Sequence, residues 1–238
     1  MSDVQNVRMH GASNQFLIHF GNDSPEKYLQ NLEGADGLLL VQEDEHADAF
    51  MRIFNADGGE AKQCGNGLRC VALHLVRNRM VEGSDVTVRT LSGVSHCVVR
   101  EDCNEVAVTL CKPTFYSTPI EEFPDLLFIT MGNQNAVYWT ENDPLEERNQ
   151  FGKIISNHSS FEDGMNVHFA RRDAPQYATC ASWERGVGPT YASGTGGAAV
   201  FVTSQARGLF FVSSQGVTLN YTLNPEGIIV MSGPAGYV

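Results

Sequence analysis

The chain has 238 residues, enough for one large domain or two of about 110 residues each. Its 42% hydrophobic and 18% charged content marks a globular protein and excludes a disordered one. A formal net charge of -12 disfavours nucleic acid or an anionic membrane as partner, and no apolar run reaches the roughly 18 residues of a membrane span.

The opening stretch MSDVQNVRMHG lacks the apolar core of a signal peptide, so the cytosol is the expected compartment. QFLIHF (15–20), DGLLLVQ (36–42) and DAFMRIFN (48–55) are apolar or alternating runs bounded by turn residues, and read as strands. The acidic stretches EDEH (43–46) and TENDPLEE (140–147) read as solvated loops. GNGLRCVALHLVRNRMV (65–81) reads as a helix opened by a glycine loop, with Leu68, Val71, Leu75 and Val76 on one face. A meander of strands over 85–111 follows. Residues 112–124, with Pro113, Pro119 and Pro124, read as a linker. Beyond it DLLFITMGNQNAVYW, MNVHFARR and YATCASWERGVG form a second strand series. GTGGAAVFVTSQARGL (194–209) is again a small-residue loop opening an apolar helix, and VSSQGVTLNYTL and GIIVMSG end the chain as strands.

The six cysteines Cys64, Cys70, Cys97, Cys103, Cys111 and Cys180 form no CxxC pair, and no histidine cluster has zinc spacing. In a chain this long without a secretion signal a disulfide framework is not expected. Most of these thiols, Cys70 among them, read as small core residues, and Cys97 and Cys103 receive no role.

The organisation repeats. Each half has strands, a loop of the form Cys/Ser-Gly-x-Gly, one helix, then more strands, with Cys64 and Ser193 about half the chain apart. The expected fold is α/β (α+β), with one domain over 1–112 carrying Cys64 and a second over 113–238 carrying Ser193. The last strand is a candidate to join the first domain, and a ligand cleft is expected between the two. At a helix start the first amides have no intrahelical partner, glycine permits close approach, and the dipole favours an anion. The same field lowers the pKa of a cysteine from about 8.5. Cys64 is therefore placed to be a base or nucleophile. Two such loops suit one carboxylate held between two sets of amides, with a reactive group on either side of the adjacent carbon. That arrangement removes an α-proton from one face of an amino acid and returns it to the other, with developing charge held by the amides. Neither a metal nor pyridoxal is implied.

These segments resemble the diaminopimelate epimerase family, which comprises amino-acid epimerases that use two cysteines and no cofactor. The resemblance runs through MHGASNQF (9–16), RIFNADGGEAKQCGNGLRC (52–70), MGNQNAV (131–137), GMNVHF (164–169) and WERGVGPTYASGTGGA (183–198). It implies two similar strand-rich, barrel-like domains, each around a central helix. It also implies that Asn14, Asn55, Asn133 and Asn166 hold the substrate, that Glu184 and Arg185 form its acidic-basic pair, and that Gly65, Asn66, Gly194 and Thr195 supply backbone donors to the reacting carboxylate. Asparagines in loops also cap turns, and Glu184 beside Arg185 also reads as a surface pair. The implied substrate is diaminopimelate or a similarly shaped amino acid, in lysine biosynthesis, and a homodimer is the candidate assembly.

The chain departs from the family at chosen points. Ser193 stands for the second catalytic cysteine, Gln134 and Asn135 stand for the proline and histidine of a Gly-Asn-Pro-His segment, and Gln15 stands for an aspartate. The family's histidine tunes its thiols, so losing it together with a thiol favours natural divergence over an engineered exchange. A hydroxyl is a far weaker acid than a thiol. Slow epimerisation, elimination by a dehydratase or lyase with Cys64 as single base, and binding without turnover are the three readings.

Overall fold

The computed structural model describes residues 6–118, 120–131 and 133–238. Residues 1–5 at the head of the opening stretch, Pro119 of the linker and Gly132 of MGNQNAV lie outside them. The chain forms two compact units, residues 1–109 with 232–238, and residues 110–231.

The first unit contains β1 (Asn6–Gly11), β2 (Asn14–Phe20), α1 (Glu26–Leu29), β3 (Gly37–Gln42), β4 (Ala49–Asn55), β5 (Glu60–Ala61), α2 (Gly65–Arg77), β6 (Asp85–Thr90), β7 (Gly93–Arg100) and β8 (Glu105–Thr109). The second contains β9 (Thr114–Tyr116), β10 (Leu127–Thr130), β11 (Gln134–Trp139), α3 (Pro144–Ser156), β12 (Asn166–Ala174), β13 (Tyr177–Glu184), β14 (Gly188–Thr190), α4 (Gly194–Thr203), β15 (Phe210–Ser214) and β16 (Val217–Leu223). The last strand, β17 (Ile229–Tyr237), begins in the second unit, and its residues from 232 belong to the first. There Met9 pairs with Tyr237 across an antiparallel β1–β17 ladder.

The two units share one wiring. In the first, β1–β2 is antiparallel, β2–β3 parallel, β3–β4 and β4–β5 antiparallel, β4–β6 parallel and β6–β7 antiparallel. In the second, β10–β11, β11–β12, β12–β13, β13–β14, β13–β15 and β15–β16 repeat that order of senses. Each sheet curls round one helix. α2 packs on β1, β2, β6, β7 and β8, and α4 on β11, β12, β13, β15 and β16. Both helices are consequently buried almost throughout, from Gly65 to Val76 and from Gly196 to Phe201. A helix covered all round needs apolar residues all round, and AAVFV supplies them in α4. Strands covered on both faces read as continuous apolar runs. In β3, Leu38 and Leu40 join Tyr28, Leu32 and Phe54 on one face, while Leu39 lies beneath α2. In β12, Val167 and Phe169 join Ile155 of α3 on one face, and His168 lies beneath α4.

Three expectations change. TENDPLEE is not a loop throughout, because Pro144 opens α3. The Asp143 carboxylate accepts from Leu145 N–H at 2.9 Å, and Glu146 and Glu147 meet the positive end of the helix. Within EDEH, the Asp44 side chain is only 5% exposed and accepts from Arg89 Nε at 2.8 Å. The linker contains β9, which pairs with β10 through Tyr116 and Phe128. Cys70, Cys97 and Cys180 are buried, and desolvation pushes their thiols up to about 12, about 12 and about 11.

Close packing of backbone on backbone sets the position of α2. A Cβ at Gly11 would stand 2.6 Å from the Asn66 carbonyl oxygen. Neither β1 nor the helix start has a flexible atom there to give way. Gly11→Ala is expected to lower stability by about 1–3 kcal/mol, the usual range for overpacking, as read by the denaturant midpoint of the purified protein.

Candidate functional site

The two glycine loops become two N-caps of the same geometry. Cys64 has φ -145° and ψ 106°, and its sulfur accepts from Gly67 N–H at 3.4 Å. Ser193 has φ -118° and ψ 117°, and its hydroxyl oxygen accepts from Gly196 N–H at 3.1 Å. The cap carbonyls take the next amides, Leu68 N–H at Cys64 and Gly197 N–H at Ser193, both at 2.9 Å. The cap side chain thus satisfies the third helical amide, which has no intrahelical acceptor, and the fourth makes the first i→i−4 bond. Gly65 and Asn66 in the first unit, and Gly194 and Thr195 in the second, hold the first two.

Around the first loop, Asn66 is buried and its side-chain oxygen accepts from Arg69 Nη2 at 2.8 Å. Arg69 is fully buried, and its Nε donates to the Pro234 carbonyl at 3.4 Å, which ties the helix start to the terminal strand. Sequence reasoning passed over Arg69. Its signal was an arginine inside the apolar run LRCVAL, where only a paired charge is tolerated. Asn55 ends β4 and is exposed. Asn14 opens β2, and its Oδ1 is buried without a hydrogen-bond partner among the described residues. Such an atom costs about 1–3 kcal/mol until a donor satisfies it. Gln15, the departure beside it, accepts from Arg8 Nη2 at 3.0 Å.

Around the second loop the structure separates two residues that are adjacent in sequence. Arg185 is exposed, with its stem against Gly164, and its backbone N–H donates to Asn166 Oδ1 at 2.9 Å. Glu184 ends β13 with its side chain turned toward Ser193 and Thr190. Burial pushes its carboxyl above the ordinary 4.5, and the two hydroxyls pull it partly back. Because the Ser193 oxygen already accepts from Gly196, its proton is the one available to the carboxylate. Thr190 Oγ1 is a second buried oxygen that meets no strict hydrogen-bond geometry among the described residues. Asn166 is partly committed to structure, since its Nδ2 donates to the Gln134 carbonyl at 3.0 Å. Asn133 is exposed, and its carbonyl accepts from Asn135 Nδ2 at 2.8 Å.

Glu184 is thus a titratable neighbour of the Ser193 hydroxyl. Asn55 occupies the same place in the first unit, since each is the last residue of its strand and stands nine residues before the cap. Among the described residues no group of three or more His, Cys, Asp or Glu side chains is arranged to hold a metal, and no helix is long and apolar enough to cross a membrane.

The Glu184 environment carries a stability consequence. An acid whose folded pKa is raised binds its proton more tightly in the native state than when unfolded. Its contribution therefore turns unfavourable as pH rises from the ordinary carboxylate value through the raised one. Glu184→Gln removes that penalty and keeps an acceptor for Ser193. The variant is expected to melt no lower than the parent at pH 7, with the difference closing as pH falls below 4.5. Thermal melts across pH check this.

Known proteins bear on the same loops. The family model described as diaminopimelate epimerase matches residues 29–116 and 127–238. The diaminopimelate epimerase of Alkaliphilus metalliredigens is 31% identical, covering 98% of this chain and 95% of that protein. That of Bacillus cytotoxicus is also 31% identical, covering 99% and 95%. Among solved structures, a hydroxyproline epimerase from Agrobacterium vitis superposes with TM-score 0.71 at 17% identity, covering 99% of this chain and 90% of that one. A phenazine biosynthesis protein of the PhzF family from Bacillus anthracis reaches TM-score 0.71 at 17% identity over 100% and 98%. At such identities these two speak to the fold, and they agree with two strand-rich units each wound round a helix. The match of the family model across both loops, joined to near full-length relatives, establishes that the chain belongs to the diaminopimelate epimerase family.

Proposed function

We propose that this chain interconverts the stereoisomers of diaminopimelate, or of an amino acid of the same shape, by moving the α-proton from one face to the other. Its class, an isomerase of the epimerase and racemase type acting without pyridoxal, follows from the family, and a place in lysine biosynthesis follows from that activity. We place it in the cytosol. The observation that carries the reading is the duplicated helix start, with a thiol at one N-cap and a hydroxyl beside a carboxyl at the other.

The chemistry assigns one task to each group. The Cys64 thiolate takes the α-proton, leaving a carbanion whose charge spreads into the substrate carboxylate. The amides of Gly65, Asn66, Gly194 and Thr195 are suited to hold that charge, as donors preorganised for an oxyanion. On the opposite face the Ser193 hydroxyl gives its proton to the carbon and takes one from the Glu184 carboxylic acid, which ends as carboxylate. The reverse turnover runs these transfers backwards. A raised Glu184 pKa keeps the acid form available nearer neutrality than an ordinary glutamate would. Asn14, Asn55, Asn133 and Asn166 orient the substrate, and Arg185 takes a carboxylate bidentately.

Proton NMR in D₂O with the diaminopimelate isomers tests the reading. Loss of the α-proton signal with inversion supports it, and a keto acid or ammonia as product overturns it in favour of elimination. Cys64→Ala is expected to lower exchange by about a thousandfold or more, as removal of an acid-base group does. Retained exchange in that variant would remove Cys64 from the mechanism. Ser193→Cys is expected to raise the epimerisation rate, because a thiol ionises far more readily than a hydroxyl.

A further inference from the structure

His168 is a buried titratable group that the mechanism leaves unused. It sits on β12 between Val167 and Phe169 and is fully buried. Its Nδ1 lies 2.5 Å, and the Ser193 Cβ 2.9 Å, from where a Cβ of Gly196 would stand. The ring is therefore packed directly under the start of α4, and only glycine at 196 leaves room for it. The first unit has a leucine at the same place. Leu38 pairs with Phe54 and Val167 with Trp183, each one residue before its strand ends. This puts Leu39 in register with His168, and Leu39 lies 3.0 Å from where a Cβ of Gly67 would stand. A polar ring has been set into a position that the repeat fills with hydrocarbon.

Both ring nitrogens are occupied. Nε2 lies 3.0 Å from Asn135 Oδ1, and Nδ1 lies 2.9 Å from Ser182 Oγ. The direction of each bond follows from the far end. The Asn133 carbonyl only accepts, so Asn135 presents Nδ2 to it at 2.8 Å and turns Oδ1 toward the histidine. Nε2 must then carry the hydrogen, Nδ1 must accept, and Ser182 must donate. The Cys180 thiol, 3.8 Å from Ser182 Oγ, can donate to that oxygen. The chain of donors therefore runs one way, from Cys180 through Ser182, His168 and Asn135 to the Asn133 carbonyl. Desolvation pushes His168 down to about 3, so the ring is neutral and cannot serve Ser193 as a base.

We infer that His168 is a positioning residue: through Asn135 its neutral ring holds the turn that presents Asn133 to the substrate, in the place where the family carries a histidine at 135 itself. The kinetic part of this inference rests on the proposed epimerase reading, and the structural part does not. A buried, fully satisfied network of this kind rigidifies what it touches.

Long-range proton–nitrogen NMR of the His168 ring in the parent protein is expected to show the neutral Nε2–H tautomer at pH 7. An imidazolium or an Nδ1–H tautomer overturns the relay whether or not the protein turns over substrate. If the parent moves no α-proton of diaminopimelate, the epimerase reading falls and this spectrum alone decides the relay. With activity present, His168→Leu is expected to raise KM about tenfold with kcat held within about threefold, and His168→Gln, which keeps one donor and one acceptor, to recover most of that KM. A fall in kcat at unchanged KM, or a glutamine variant no better than leucine, overturns the assignment.

Discussion

The rest of the structure depends on how a buried helix start satisfies its amides. α2 is buried from its first residue and α4 from Gly196, so their first turns depend on acceptors that the chain itself supplies. The cap side chain, sulfur or hydroxyl oxygen, takes the third amide, and the cap carbonyl takes the fourth. Glycines at Gly67 and Gly196 follow from the same constraint, since strands β3 and β12 press against the first turn. Here the identity of the cap acts twice. Serine is among the best N-caps and holds Gly196 N–H at 3.1 Å, whereas the Cys64 sulfur, a weak acceptor, sits at 3.4 Å. The hydroxyl improves the helix and weakens the acid, a local exchange of chemistry for stability.

The shared wiring makes the differences between the units informative. Beneath α2 the registered positions are Leu39, Ile53 and, at the strand end, Asn55. Beneath α4 they are His168, Ser182 and Glu184. The first unit therefore rests its helix on hydrocarbon and leaves Cys64 as the ionisable group at the cap. The second rests its helix on a polar network and adds a carboxyl at the cap. The second cap thereby places an acid of raised pKa next to a hydroxyl, where the first has an asparagine near a thiol.

Much of this was legible from residue patterns. The strands β2, β3 and β4 announce themselves through β-rich apolar runs, α2 through its one-faced spacing, and the repeat through two glycine loops at helix starts. What escaped has a physical reason in each case. PLEE reads as a charged loop through its two glutamates, whereas Asp143 and Pro144 mark a helix start. The approach of Glu184 to Ser193 depends on the short β14 hairpin folding the chain back, and no periodicity encodes that distance. His168 alternates with Val167 and Phe169 as an inward residue would, but an inward polar ring becomes intelligible only with Ser182 and Asn135 in view, and these come from different strands.

Two of the departures from the family pattern, Asn135 and Ser193, share a neighbour. Asn135 accepts from the His168 ring, and the same ring fills the space beneath Gly196, whose amide is bound to the Ser193 oxygen. A change in polarity at 135 alters what His168 must donate to, and a change in ring position alters the floor under the cap at 193. Asn135, His168 and Ser193 are thus linked inside one unit through the ring and the amide it supports.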